Sequence, residues 1–304
     1  MEYFLGVDAG GTKAELVLGD RTRELGRVRT GTIKRMKADA ATAERNLVEG
    51  LRQLEAQTAV APQSITRSCV GTAGETVALV TSWLREAFAN HVGGELVILG
   101  DVEIALDSSF FGKRGVLVLA GTGSNVAGRA GTGEILRAGG WGPQLADQGS
   151  GHFIGLEALR RGFLAIDQQR ETRVLDEAQR FWNLGSRAEL IEYANANPSP
   201  EYSRLTPPVV SLAEQGDAIA REVLEQGGAD LAMLASLVIE RIRRIEGEAK
   251  FHLPSIAVAG SILEKVTAVR EAMRAALRKR YPGIVVLEKP ADPPAGALWA
   301  ARNA

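Results

Sequence analysis

The chain has 304 residues, a formal net charge of −1, and 45% hydrophobic against 24% charged residues. These values describe a well-cored globular chain, long enough for two lobes, and argue against disorder or charge-driven attachment to nucleic acid or a membrane. The single cysteine, Cys69, and the scattered histidines His91, His152 and His252 exclude an internal disulfide and a cysteine-based metal site within one chain. In chain order, residues 3–7 form an apolar strand that breaks at Asp8-Ala9-Gly10-Gly11 and resumes at 14–18, a hairpin pattern. A third strand is expected at 23–29. A helix follows over 40–57, with Ala43, Leu47, Leu51 and Leu54 on one face. Further expectations are a strand at 65–71 holding Cys69 as a buried inert thiol, a helix at 76–91, a strand at 96–99 and a helix at 102–111.

The pattern then restarts. Residues 115–120 form an apolar strand running into Gly121-Thr122-Gly123-Ser124, with strands at 126–129 and 135–138. A glycine-rich loop covers 139–151. Helices are expected over 153–167, 170–181, 187–195, 209–215 and 217–246. Residues 256–259 form a strand ending in Gly260-Ser261, followed by a helix at 266–280, a strand at 284–287 and a final helix at 296–302. The proline pairs near 197–200 and at Pro207-Pro208 mark loops. A strand–glycine turn–strand unit thus opens each half, which suggests a duplicated core of two α/β lobes with mixed sheets.

The two glycine turns carry the chemistry. Adjacent glycines in a tight turn leave backbone N–H groups free to gather phosphate oxygens, and Gly10 and Gly11 let the chain approach closely. Thr12 adds a hydroxyl and Lys13 a charge. Asp8 makes sense beside phosphate only with a Mg²⁺ ion between them. Gly121, Thr122 and Gly123 repeat this logic, although their spacing is neither a Walker loop nor GxGxxG. Gly260 and Ser261 end a strand where a flat group can pack. Asp101 ends the strand 95–100, where a carboxylate either caps the next helix or takes a proton from an attacking hydroxyl. Trp141 and Asp147, an aromatic face and a carboxylate among glycines, suit a sugar ring.

In order and spacing, Asp8-Ala9-Gly10-Gly11-Thr12-Lys13, then Gly121-Thr122-Gly123-Ser124-Asn125, then Gly140-Trp141-Gly142 with Asp147 and Gly149-Ser150, resemble N-acetylglucosamine kinases. These belong to the BadF/BadG/BcrA/BcrD ATPase group of the actin-like sugar kinase superfamily. The resemblance covers nearly the whole chain. It implies two ribonuclease H-like lobes, residues 1–111 and 112–304, with the nucleotide and sugar in the cleft and the last helix, about 295–304, packing back on the first lobe. It further implies ATP with Mg²⁺ on Asp8, Gly10, Gly11, Thr12 and Lys13 as the first phosphate motif, and Gly121, Thr122 and Gly123 as the second. Gly260 and Ser261 would then lie near adenine, Asp101 would be the base, and Ser124, Asn125, Gly140, Trp141 and Asp147 would meet the sugar. A homodimer is expected.

One departure stands out. Family kinases often carry an Asn after the third strand, whereas this stretch reads Thr30-Gly31-Thr32-Ile33-Lys34-Arg35, with no Asn until Asn46. Lys34 or Arg35 would suit an anionic substituent such as the lactyl group of a muramic sugar.

The alternatives are a radical-dehydratase activator and a sugar sensor. The first needs cluster-binding cysteines, and Cys69 alone is too few. A DNA-binding sensor needs a module ahead of the first strand, which begins at Tyr3 here. A degenerate protein that binds sugar and ATP without turnover stays open. Without a targeting segment before that strand, and without an apolar run able to span a membrane, cytoplasmic residence is expected.

Overall fold

The computed structural model describes all residues, 1–304. Contacts divide the chain into two compact units, Met1–Lys113 with Ala291–Ala304, and Arg114–Pro290. No helix is long and apolar enough to cross a membrane.

In chain order the first unit contains β1 (Tyr3–Ala9), β2 (Lys13–Gly19), β3 (Glu24–Gly31), α1 (Ala40–Thr58), β4 (Ile65–Gly71), α2 (Ala78–His91), β5 (Glu95–Leu99) and α3 (Asp101–Phe110). The sheet order is β3-β2-β1-β4-β5. β1, β2 and β3 pair antiparallel, and β1, β4 and β5 pair parallel. Alternation along β1 sends Leu5 and Val7 to the face covered by α1 and α2, where they join Leu47, Leu51 and Leu84. Phe4 points to the opposite face, with Val17, Cys69, Ile104 and Leu298. That second face carries α3 and the last helix, Pro293–Asn303. The helix lies so close that a Cβ on Gly6 would fall 2.2 Å from the Leu298 nitrogen, and one on Gly296 would fall 1.8 Å from the Ile104 carbonyl oxygen. Arg27 holds the start of this helix through Asp292, with both guanidinium–carboxylate contacts at 2.9 Å. Arg302 holds its end by donating to the Asp20 carbonyl at 2.7 Å and the Arg23 carbonyl at 2.8 Å. Cys69 is buried, and loss of water pushes its thiol up to about 12.

The second unit contains β6 (Gly115–Ala120), β7 (Ser124–Arg129), β8 (Ile135–Ala138), α4 (Gly151–Asp167), α5 (Val174–Trp182), α6 (Arg187–Ala194), α7 (Thr206–Glu214), α8 (Ala218–Glu246), β9 (Ile256–Ala259), α9 (Ser261–Lys265) and α10 (Thr267–Arg280). Its sheet order is β8-β7-β6-β9, again opening with three antiparallel strands, here followed by one parallel strand instead of two. The 29-residue α8 lies across this sheet. A Cβ on Gly128 would come within 2.6 Å of the Val238 side chain.

Three expectations change. The strand expected at 284–287 shrinks to a bridge between Val286 and Ile256, although it lies beside β9, where β5 lies beside β4 in the first unit. Its two backbone bonds both use Ile256, so the ladder never extends along the four residues of β9. Pro207 and Pro208 belong to the first turn of α7, where the missing N–H costs nothing, so the segment starts a helix instead of a loop. The helix expected from residue 170 begins at Val174. Before it, Thr172 and the Arg173 N–H bind the Asp217 carboxylate, which caps α8.

Candidate functional site

In the first unit, Asp8 lies one residue from the end of β1, opposite Glu15 on β2 and Gly71 on β4. It is half-buried. Loss of water, then the nearby charges of Asp101 and Glu15, raise its carboxyl to about 6, and Lys13 and Lys34 only partly offset this. The turn after β1 needs a residue without a side chain, because a Cβ on Gly10 would stand 2.9 Å from the Lys13 carbonyl oxygen. Thr32 pins the turn by donating its hydroxyl to the Gly10 carbonyl at 2.6 Å, and its own oxygen accepts the Lys34 N–H at 3.0 Å. Gly11, Thr12 and Lys13 are exposed, with the Lys13 ammonium 3.6 Å from Glu15.

Asp101 follows β5 as the first residue of α3. The cap position belongs to Gly100, whose N–H is held by the Glu103 carboxylate at 2.9 Å. Asp101 therefore does not serve as the N-cap. Its Oδ1 accepts the Val102 N–H at 2.9 Å, and its charge acts on Asp8. Both carboxylates lie at the carboxyl ends of parallel strands of one sheet, β1 and β5 with β4 between them, where α/β sheets gather ligands.

The loop after β3 has no Asn of its own, but Asn46 on α1 folds against it. Its amide donates to the Thr32 carbonyl at 2.8 Å and is spent on shaping the loop. The Arg35 guanidinium likewise turns inward to the Ala38 carbonyl. Lys34 is the cation of this loop that acts on Asp8.

In the second unit, the β6–β7 turn closes on itself, with the Gly121 N–H donating to the Gly123 carbonyl at 2.8 Å. The start of α4 is stitched to it: the Gly151 N–H donates to the Gly121 carbonyl at 2.8 Å, and His152 N–H to the Thr122 carbonyl at 3.2 Å. Asp147 completes the junction. It is buried, with only 8% exposed. Oδ1 accepts the Ser124 N–H at 2.6 Å, and Oδ2 accepts the Ser150 hydroxyl at 2.9 Å. The Ser150 oxygen then caps α4 by accepting the Phe153 N–H at 3.0 Å. The Ser124 hydroxyl donates to the Gln148 carbonyl at 2.8 Å. Asp147 and Ser124 are thus engaged in joining the glycine turn to the 139–151 loop. Asn125 and Gly140 also meet, since a Cβ on Gly140 would fall 2.9 Å from the Asn125 side chain. Trp141 is 73% exposed and Leu145 80%, on a short bridge between Gly142 and Ala146. Burial lowers the His152 imidazole, and the Arg160 charge adds to this while Asp147 opposes it.

Gly260 ends β9 with φ of 92°, a left-handed conformation that suits glycine, and a Cβ there would fall 2.4 Å from the Ala120 carbonyl oxygen. Ser261 consequently sits beside Gly121. These two residues open onto a cavity of about 510 Å³, within the range of ligand pockets. Gly121, Thr122 and Gly151 line it, together with residues from the segment before α7, from α7 and from α9. Thr206 stiffens this wall, donating its hydroxyl to the Gly151 carbonyl at 3.2 Å. Sequence reasoning identified Gly121, Thr122 and Ser261 but missed Ser203, Thr206 and Val210. The helix-start signal of Pro207 was the available clue, since it brings a helix where a loop was expected.

No group of three or more His, Cys, Asp or Glu side chains is arranged to hold a metal. A hard cation here would rest on one carboxylate, on water and on the oxygens of its own ligand, and Asp8, held near the charges of Asp101 and Glu15, fits that part.

The whole length of the chain has counterparts. It is 25% identical to an N-acetylmuramic acid/N-acetylglucosamine kinase of Clostridium acetobutylicum, covering 100% of this chain and 99% of that protein. It is 29% identical to an N-acetyl-D-glucosamine kinase of Dictyostelium discoideum, covering 99% and 98%. Its fold matches a solved structure from Chromobacterium violaceum, provisionally described as an N-acetylglucosamine kinase, with a TM-score of 0.75, 24% identity and 98% of each chain covered. The two mixed sheets are those of actin-like ATPase and sugar kinase folds. Residues 5–304 match one family throughout, and the chain belongs to the BadF/BadG/BcrA/BcrD ATPase family.

Proposed function

We propose that the protein is a cytoplasmic, homodimeric kinase that transfers the γ-phosphate of ATP to a hydroxyl of an amino sugar, N-acetylglucosamine or a close relative. The observation that carries this reading is the placement of Asp8 near the end of β1 and of Asp101 directly after β5, two carboxylates at the carboxyl ends of parallel strands in one sheet. Phosphoryl transfer needs a carboxylate near a cation and a second one that accepts the acceptor's proton. Asp101, at the start of α3, takes the second role. Asp8 takes the first, and Mg²⁺ there would neutralise phosphate charge. Gly10, Gly11, Thr12 and Lys13 are assigned to phosphate contacts in the first unit. Gly121, Thr122 and Gly123 are assigned to them in the second. Gly260 and Ser261 are assigned to the nucleoside side, where Ser261 lines the cavity and Gly260 packs against the Ala120 carbonyl. Ser124, Asn125, Gly140, Trp141 and Asp147 are assigned to the sugar side. Of these, Trp141 is the exposed surface for a ring, and Asp147 acts by shaping the loop.

Family membership and the relatives' names support the same reading. The assignment of Asp101 is tested with Asp101→Asn. It should retain calorimetric binding of ADP and lose about 10²–10⁴-fold in kcat, the usual worth of a positioned base. Turnover at the parent rate would remove Asp101 from the mechanism.

A further inference from the structure

The cavity of the second unit has two unlike ends. One is rigid: the Gly121–Thr122 turn is stitched to α4, and Thr206 is buried and bonded to the Gly151 carbonyl. The other end opens into an adjoining hollow of about 290 Å³, and Val210, Glu214 and Lys265 line both spaces. A nucleotide with its phosphates at the glycine turn points its base toward this second end. The cavity walls between the two ends carry apolar side chains from Val210, Ile262 and Val266, and the backbone along α9 is committed to helical turns, with Glu264 N–H on the Gly260 carbonyl and Val266 N–H on the Ile262 carbonyl. The polar side chains away from the glycine turn are all exposed: Arg204, Ser211, Glu214 and Lys265 line the cavity, and Arg221, Glu225 and Thr267 line the adjoining hollow.

We infer that this site takes purine nucleotides with little discrimination between adenine and guanine, an inference that rests on the cavity holding the nucleotide. The apolar walls grip the flat faces of either base. Glu214 accepts from the adenine N6 amino group or from guanine N1–H and N2 amino groups. Lys265 donates to adenine N7 or to guanine O6. Strong rejection of a base requires buried polar groups that the wrong base leaves unpaired, which can reach 10⁴–10⁵-fold, whereas mobile groups in contact with water lose little when the pattern changes.

The test compares ATP, GTP and ITP as phosphate donors at saturating sugar, with calorimetric Kd values for ADP and GDP on the same protein. The expected result is kcat/KM for all three within roughly tenfold, the scale of an apolar pocket, and Kd values for ADP and GDP within the same range. A larger preference for ATP and ADP overturns the inference and leaves the kinase assignment standing. Where no sugar is phosphorylated, the calorimetric comparison decides it alone, and failure of both diphosphates to bind overturns the inference together with the nucleotide reading of the cavity. Glu214→Gln and Lys265→Met should each shift the ATP-to-GTP ratio by less than about threefold, because water replaces either group. A shift beyond about tenfold in either variant would make that residue a base reader and contradict the inference.

Discussion

Replacing Asp8 with Asn removes a carboxylate that the fold holds against its preference. Folding raises this group from 3.8 to about 6. Because the folded pKa is the higher one, the native state binds more protons than the unfolded chain between these values, and stability falls as pH rises through that window. Well below pH 3.8 the group is protonated in both states and costs nothing. Well above pH 6 it is charged in both, and the cost reaches its full value. At about 1.36 kcal/mol per pH unit the full cost approaches 3 kcal/mol, and at pH 4.5 it is about 1 kcal/mol. Urea unfolding of the ligand-free protein and of Asp8→Asn at pH 4.5 and pH 8 reads this directly. The variant should gain stability at both values, with about 2 kcal/mol more gain at pH 8. Mg²⁺ with ADP should reverse the order at pH 8, because only the parent keeps the carboxylate for the cation. A stability difference that does not change with pH, or a variant less stable than the parent at pH 8 without ligand, would refute the electrostatic argument.

Other consequences follow from packing. Gly296→Ala places a Cβ 1.8 Å from the Ile104 carbonyl oxygen and should destabilise the first unit by about 1–3 kcal/mol or more, seen as a lower urea midpoint. An unchanged midpoint would mean that the last helix does not lie against α3 as described. Asp147→Ala strands the buried Ser124 N–H and Ser150 hydroxyl and should cost about 1–3 kcal/mol. If Asp147 chiefly holds the glycine turn, the KM for ATP rises along with that for the sugar. A rise in the sugar KM alone, at unchanged stability, would return it to direct sugar contact.

Much of the first unit was legible because its signals are local. Two glycines between apolar strands predict the turn at Gly10 and Gly11, and the period of Ala43, Leu47, Leu51 and Leu54 predicts the buried face of α1. Asp101 was legible as a carboxylate at a strand end, but its relation to the helix was not. Capping fell to Gly100 because Glu103 reaches back to its N–H. The cavity wall at Ser203, Thr206 and Val210 lies some 80 residues from Gly121 in sequence, and only tertiary packing joins them. Asp147 has the residue type of a sugar ligand, and its geometry gives both oxygens to the protein. The missing Asn of the loop after β3 was read from sequence, but the use of Asn46 to hold Thr32 depends on how α1 crosses β3. The strand expected at 284–287 had the right composition and position but a partner only four residues long.

The central claim is phosphoryl transfer from ATP to an amino sugar. Its most direct test is ADP release measured in a coupled assay with ATP and Mg²⁺ over a panel of N-acetylglucosamine, glucosamine, N-acetylmuramic acid and glucose, with the sugar monophosphate identified by mass spectrometry. The account predicts sugar-dependent ADP release, matched one for one by an amino sugar monophosphate and greatest with an amino sugar. ADP release that no sugar stimulates, or ADP binding without turnover of any sugar in the panel, would contradict it.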